Sequence, residues 1–155
     1  MNDQHYLTSE GAARMRVELE QMKGPDRLAI SKRLREAIQM GDLSENADYH
    51  KAKEDQGFLE GRIQELEYIL KNAVIIDAST LDHEKVQIGS RVTIQEDDLD
   101  PETFFLVGVK EADPRSGRIS HESPIGKALV GKKVGEKAVA ETPNGSIIFK
   151  ILKIE

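Results

Sequence analysis

The spacing of the apolar residues changes near residue 74, and this change constrains the fold more than any other feature of the sequence. Before it, apolar residues recur at alternating intervals of three and four, which is the period of one helix face. After it, short apolar runs lie between glycines and prolines, a pattern typical of strands and turns. The sequence therefore predicts an α+β chain of two domains, with helices in residues 1–76 and a small α+β domain with an antiparallel sheet in residues 77–155.

The first half contains two helical stretches joined by a short connection, residues 40–46. The first stretch begins near Thr8 or Ser9, either of which can cap a helix, and Gly24-Pro25 predicts a break or kink within it because proline removes a backbone donor. The second stretch has a seam at three-four spacing that is typical of a coiled coil. Because a short connection makes neighbouring helices antiparallel, we predict a helical hairpin within one chain. The predicted seam residues, one of them polar, are Tyr49, Ala52, Gln56, Leu59, Ile63, Leu66, Leu70 and Ala73.

The second half contains several runs that predict strands and one that predicts a short helix. Pro143-Asn144-Gly145 is a turn signal between two apolar runs and predicts a hairpin. Ser123 and Pro124 predict a short helix through Leu129, because serine caps a helix and proline suits its first position. The predicted strands are residues 86–95, 104–107, 138–141 and 146–154.

The composition excludes several classes of protein. The chain carries a formal net charge of -6, so it lacks the positive charge of an ordinary nucleic-acid-binding domain. It has no cysteine, which excludes disulfides and thiolate metal sites. Its start lacks the pattern of a signal peptide, and no apolar run approaches the roughly 20 residues that a membrane span needs. We therefore expect a cytoplasmic protein with no membrane partner.

Three carboxylates, Asp42, Glu45 and Asp48, follow one another at intervals of three around the connection between the helical stretches. This spacing brings them together on a helix, and grouped carboxylates suit a hard cation such as Mg²⁺. They are too few for a complete octahedral site, so another molecule would have to supply the remaining ligands. A second explanation is that Asp42 caps the following helix, with Glu45 placed like a capping-box partner. The spacing alone leaves both explanations open.

Several longer motifs follow one another in order along the chain. In the first half they are residues 41–50 (GDLSENADYH) and 56–63 (QGFLEGRI). In the second half they are residues 123–126 (SPIG), 128–131 (ALVG) and 142–145 (TPNG). Together these motifs closely resemble those of the GreA/GreB family of transcript cleavage factors, and the resemblance is closer to GreA. It covers nearly the whole chain.

The resemblance implies a coiled-coil hairpin followed by a domain of FKBP-like fold. It also implies that the hairpin enters the secondary channel of bacterial RNA polymerase and stimulates Mg²⁺-dependent endonucleolytic cleavage of backtracked nascent RNA, which rescues arrested complexes. By position, Asp42 and Glu45 carry over as the acids that help to hold the second Mg²⁺ of the polymerase. Asp48 and Tyr49 carry over as supporting residues of the tip, although Tyr49 equally fits the first position of the seam.

On this resemblance the protein is no enzyme by itself and has no cofactor of its own. Its partners are RNA polymerase and the 3' segment of the nascent RNA, and we expect it to act as a monomer. Within the basic residues near the tip, Arg35, Lys51 and Lys53 are candidates for contact with RNA or the channel; the alternative is a solvated helix face paired with nearby acids.

A second candidate surface comes from the resemblance in the second half. Ser123, Pro124, Ile125 and Gly126 are candidates for docking on the outside of the polymerase. The alternative is that the apolar side chains of this segment belong to the core.

Three other functions are compatible with parts of the sequence. A Gre-like protein can occupy the same channel and inhibit polymerase without cleavage, but the ordinary Asp-x-x-Glu pattern at the tip favours cleavage. A prolyl isomerase would need an aromatic-lined pocket, and the second half has no Trp or Tyr. A free coiled-coil adaptor that dimerises is disfavoured by the short connection, which favours pairing within one chain.

Overall fold

A computed structural model describes residues 4–77, 79 and 81–155. Its contacts divide the chain into two units, Ala13–Asn72 and the residues up to Ala12 together with Ala73–Glu155. This division differs from a split between residues 76 and 77. The reason is a parallel pairing of β1 (His5–Thr8) with β2 (Ala73–Ile76), which groups both segments with the second half of the chain.

The helical unit is an N-terminal hairpin, as the sequence predicts. Its first arm comprises α1 (Ser9–Gln21), a π-helical segment (Met22–Asp26) and α2 (Arg27–Gln39), and its second arm is α3 (Ala47–Lys71). The interruption at Gly24-Pro25 takes the form of the π-helical segment, and the helix does not end there. A π turn moves the backbone bonds to an i→i+5 pattern, and such bulges let a helix continue past a local irregularity.

The buried seam of α3 follows the predicted period with one shift. Ala52, Ile63 and Leu66 are buried as predicted, but Ile69 is buried in place of Leu70. Ala73 lies in β2, because the helix ends at Lys71.

Ion pairs join the two arms along the exposed flanks of this seam. Arg27 donates two 2.8 Å hydrogen bonds to the carboxylate of Glu60, which holds the pKa of Glu60 below its ordinary value and raises the pKa of Arg27. Further pairs between the arms include Glu18–Arg62, Lys23–Glu67 and Arg33–Asp55.

The second unit contains a five-stranded sheet, whose strands are β3 (Arg91–Gln95), β4 (Glu102–Val107), β5 (Arg118–Ser120), β6 (Lys137–Thr142) and β7 (Gly145–Ile154). The order of the strands in the sheet is β5-β4-β3-β7-β6. Three of its pairings are antiparallel, and β5 pairs with β4 in parallel. The predicted strands are present, except that the first one begins at Arg91 and residues 86–90 precede it. The strands β1, β2 and β5 were not predicted from the sequence.

One face of the sheet carries the core of this unit, and α4 (Pro124–Leu129) packs against it through Leu129. The α+β class with a mainly antiparallel sheet is therefore confirmed. None of the helices within the described residues is long and apolar enough to cross a membrane.

The start of α1 is fixed by a buried carboxylate. Glu111, only 8% exposed, accepts hydrogen bonds from the backbone N–H and the hydroxyl of Thr8 at 2.6 and 2.7 Å. The Thr8 hydroxyl accepts in turn from the N–H of Gly11 at 3.0 Å, so Thr8 is the cap that the sequence predicts as one of two. A Cβ at Gly11 would lie 1.9 Å from Glu111 Oε1, and this contact explains the glycine.

Candidate functional site: the hairpin tip

The predicted acids lie in and just after the turn that joins α2 to α3. Gly41 begins the turn with φ +120, a conformation that side chains with a Cβ rarely adopt. Asp42 and Glu45 lie within the turn, and Asp48 lies in the first turn of α3. The three acids therefore do not share one helical face, because only Asp48 is helical.

Asp42 stabilises the turn through one of its two carboxylate oxygens. Its Oδ1 accepts hydrogen bonds from the backbone N–H of Ser44 at 3.0 Å and from the Ser44 hydroxyl at 2.9 Å. These bonds, the backbone one first, hold the pKa of Asp42 below its ordinary value. The exposed side chain is therefore ionised at neutral pH, and its Oδ2 is left to bind another group.

The helix cap of α3 is Asn46, so the explanation that assigns this role to Asp42 is wrong. Asn46 Oδ1 accepts the N–H of Tyr49 at 3.0 Å, and the Asn46 backbone is extended as a cap requires. Asp42 precedes the cap by four residues, and its Oδ1 accepts the N–H of Ser44 instead of one from α3. The sequence signal for this cap was an asparagine just before the apolar period of α3.

Glu45 and Asp48 are exposed and form no hydrogen bond or ion pair within the part of the chain that the structure describes. The described residues contain no group of three or more His, Asp or Glu side chains that could hold a metal ion. Glu45 and Asp48 are therefore carboxylates of the tip that no other described residue uses. Such oxygens suit a hard cation whose other ligands come from another molecule.

Tyr49 and His50 stand next to these acids. Tyr49 is half-buried in the first turn of α3, and its ring meets the His50 ring edge-on with centroids 5.6 Å apart. His50 Nε2 lies 3.4 Å from the Ser44 carbonyl oxygen, to which it donates when protonated. A single histidine carries no spacing signal, so the sequence alone did not predict a role for His50 at the tip.

The candidate basic residues have different surroundings. Lys51 pairs with Asp55 at 3.3 Å, and Lys53 donates to Gln56 Oε1 at 3.4 Å. Arg33 also pairs with Asp55, and its hydrogen bond is the main reason why the pKa of Asp55 is lowered. Arg35 is exposed and has no ion pair or hydrogen bond among the described residues. Of the three candidates, Arg35 is the cation left available to a partner.

Each residue of the second candidate segment, Ser123–Gly126, has a role in the fold at the start of α4. Ser123 Oγ accepts the N–H of Gly126 at 3.0 Å and donates to the Ser120 carbonyl at 2.6 Å, so Ser123 caps α4. Pro124 takes the first helical position, and Ile125 packs against the core. Gly126 is buried, and a Cβ there would lie 2.0 Å from the Ser120 carbonyl oxygen.

Comparisons with known proteins match both halves of the chain. Residues 5–75 match the family model for the N-terminal part of transcription elongation factors. Residues 81–155 match the family model for the C-terminal part of transcription elongation factor GreA/GreB.

Curated relatives match over nearly the full length. Transcription elongation factor GreA of Chloroflexus aggregans is 48% identical over 150 residues, which cover 96% of each chain. GreA of Acetivibrio thermocellus is 43% identical over 154 residues, which cover 99% of this chain and 97% of the relative. Among solved structures, a structure of the transcription factor Gfh1 is 30% identical with a TM-score of 0.49 and covers 100% of this chain and 99% of its own.

Proposed function

Because the chain belongs to the GreA/GreB family of transcription elongation factors, we propose that it stimulates the Mg²⁺-dependent endonucleolytic cleavage of backtracked nascent RNA by bacterial RNA polymerase. The hairpin enters the secondary channel of the polymerase and delivers Asp42 and Glu45 to the active site. The protein is an activator and has no complete active site of its own. It acts as a monomer in the cytoplasm, on the polymerase and the 3' segment of the RNA.

One observation carries this proposal: the tip presents exposed carboxylate oxygens that the fold does not use. Asp42 is ionised at neutral pH and keeps Oδ2 unbonded, and Glu45 has no partner within the described residues. Exposed carboxylate oxygens that bond to no other described residue are well suited to a binding partner.

The chemistry assigns a simple task to each acid. In two-metal phosphodiester hydrolysis, one Mg²⁺ would activate the attacking water and the other would stabilise the leaving oxygen as the bond breaks. The polymerase holds one of these ions tightly and the second ion weakly. Asp42 and Glu45 add oxygen ligands to a weakly held ion and so raise its occupancy. Asp48 and Tyr49 support the tip from the first turn of α3. Arg35 is the cation best placed to meet RNA phosphates because, of the three basic candidates, it alone has neither an ion pair nor a hydrogen bond among the described residues.

We assign docking on the outside of the polymerase to the second half of the chain. Around α4, Pro124 and Lys127 are exposed, whereas Gly126 is buried. Pro124 is therefore the exposed residue of the Ser123–Gly126 segment that can meet a partner, with Lys127 beside the segment.

The test uses a stalled, backtracked polymerase complex with end-labelled RNA. Wild-type protein should shorten the RNA only in the presence of polymerase and Mg²⁺, and Glu45→Gln should lower the cleavage rate by about tenfold to a hundredfold, the range seen when groups that support a metal site are removed. Glu54→Gln is the matched control, because Glu54 is an exposed acid of α3 with no partner among the described residues.

Other outcomes would contradict the proposal. Shortening of RNA by the protein alone would show a complete active site. Inhibition of RNA synthesis by wild-type protein without any cleavage would support the alternative of a channel inhibitor. Equal cleavage by wild type and Glu45→Gln would remove Glu45 from the proposed chemistry.

A further inference from the structure

Asn46 is the residue of the turn whose side chain bonds to both helices of the hairpin. Its Nδ2 donates to the Ala37 carbonyl at 2.7 Å, near the end of α2, and its Oδ1 accepts the Tyr49 N–H at 3.0 Å, at the start of α3. We infer that Asn46 is a positioning residue for transcript cleavage, which holds the turn so that Asp42 and Glu45 meet the metal ion together. This inference rests on the proposed function.

The two bonds tie the turn to the rigid part of the hairpin. Ala37 is 2% exposed and belongs to the seam, so its carbonyl provides a fixed anchor. The Asn46 side chain is partly buried, whereas Asp42 and Glu45 on the same turn are exposed. The contact with Ala37 therefore fixes the turn relative to the end of α2, and the contact with Tyr49 fixes it relative to α3.

Among the described residues, the other polar side-chain contact between the turn and a helix is that of His50 Nε2 with the Ser44 carbonyl oxygen at 3.4 Å, and it reaches α3 alone. Gly41 has the conformational freedom of a glycine, and the Asp42–Ser44 bonds are local to the turn. These local bonds shape the loop but do not attach it to either helix. Ligands that must meet one ion need fixed mutual positions, and a displacement of about 1 Å is enough to cost about a hundredfold in rate.

The two tasks require one donor and one acceptor at the end of a short side chain, which Asn supplies. Aspartate and serine are about as good as asparagine at capping a helix, so Asn46→Asp and Asn46→Ser should both keep the cap of α3. Aspartate loses the donor and places a carboxylate oxygen against the Ala37 carbonyl. Serine is neutral and too short to reach both partners, so it separates loss of the tether from added charge.

The chain offers a matched control at the other end of α3. Asn72 Nδ2 donates to the Tyr68 carbonyl at 3.0 Å, which is the same kind of amide-to-carbonyl bond. Asn72→Asp removes this bond far along the helix from the turn. It should leave cleavage unchanged.

The experiment measures cleavage in the backtracked complex over a range of Mg²⁺ concentrations, together with competition for polymerase binding. Asn46→Asp and Asn46→Ser should both cleave about tenfold more slowly, and both should need more Mg²⁺ for half-maximal cleavage. Their polymerase affinity should equal that of wild type. In the free protein, hydrogen exchange at the Ser44 and Glu45 amides should speed up in both variants, while exchange along α3 beyond its first turn should not change.

The outcomes separate this inference from the proposed function. Wild-type cleavage and Mg²⁺ dependence in both Asn46 variants would overturn the inference alone, and so would an equal loss in Asn72→Asp. A loss of cleavage that follows a loss of polymerase binding would show a docking residue and would also overturn it. Wild-type protein without cleavage would overturn the proposed function and this inference with it.

Discussion

The hairpin tip and the start of α4 both contain a polar helix cap, but they differ in whether the fold gives every neighbouring residue a structural role. In each, a polar side chain caps a helix, Asn46 for α3 and Ser123 for α4. At α4 the fold accounts for every residue from Ser123 to Gly126 through a cap, a first-turn proline, a core contact and a close approach. At the tip, Glu45 has no partner among the described residues. A motif that folding explains is weaker evidence for a binding surface than one that folding leaves unexplained.

Among the variants that test this difference between the two regions, Asp42→Asn should have the largest effect, which is on RNA cleavage. Asp42→Asn keeps an acceptor oxygen for the Ser44 N–H and hydroxyl but removes the charge, so cleavage should fall by about tenfold to a hundredfold with little change in melting temperature. Cleavage assays and thermal melts on the same samples check this result.

Asp77 provides the matched control for Asp42. Its Oδ1 accepts the Ser79 N–H at 2.9 Å, and its pKa is lowered by the same kind of bonds, so Asp77→Asn makes the same change away from the tip. It should keep wild-type cleavage. If Asp42→Asn also keeps wild-type cleavage, the acid at the tip has a purely structural task and the comparison between the two regions fails.

The next largest effect is on stability at Gly126. A Cβ there would lie 2.0 Å from the Ser120 carbonyl oxygen, so Gly126→Ala should destabilise the protein by about 1–3 kcal/mol, as overpacking does. Gly57→Ala is the control, because nothing lies within 4 Å of a Cβ there and alanine favours the helix by about 0.5–1 kcal/mol. Denaturant unfolding of both variants measures the two opposite shifts. A neutral Gly126→Ala would show that close packing is not the reason for this glycine.

A smaller effect is expected at the cap of α4. Ser123→Ala loses both the bond from Gly126 and the bond to Ser120 and should cost about 0.5–2 kcal/mol. Ser123→Thr keeps the hydroxyl and should restore most of that stability. Polymerase affinity measured for both variants then tests docking. Weakened binding by Ser123→Thr at full stability would mean that Ser123 itself contacts the partner.

The smallest effect is the pH dependence of the hairpin arms. The pKa of Glu60 is lowered by its bonds from Arg27, so the stabilisation is present at neutral pH and is lost as the pH falls through the lowered pKa, below the ordinary carboxylate value of about 4. The cap of α4 is a neutral hydroxyl and should not respond. Hydrogen exchange between neutral and acidic pH should show the arms losing protection first, and Glu60→Gln should reduce this dependence. Equal losses at α4 would contradict the assignment to ion pairs.

Local signals predicted many elements of both units. The seam through Ile63 and Leu66, the turn at Pro143-Asn144-Gly145 and the cap at Ser123 are each encoded within a few neighbouring residues. The acids Asp42 and Glu45 were also visible from their spacing. The sequence did not show which residue caps α3, because Asp42, Ser44 and Asn46 are all suited to capping. The residue that caps the helix depends on where the chain turns.

The helical hairpin, most of the antiparallel strands and the acidic character of the tip follow from the amino-acid sequence alone, because hydrophobic period and turn chemistry encode them within short segments. The pairing of β1 with β2, the pairing of β5 with β4 and the hydrogen bonds from Thr8 to Glu111 at the start of α1 depend on how distant segments pack together. Thr8 and Glu111 are 103 positions apart, and neither has a local pattern that points to the other. Such contacts form because buried polar groups must be satisfied, and the fold of the whole chain determines which partner is within reach.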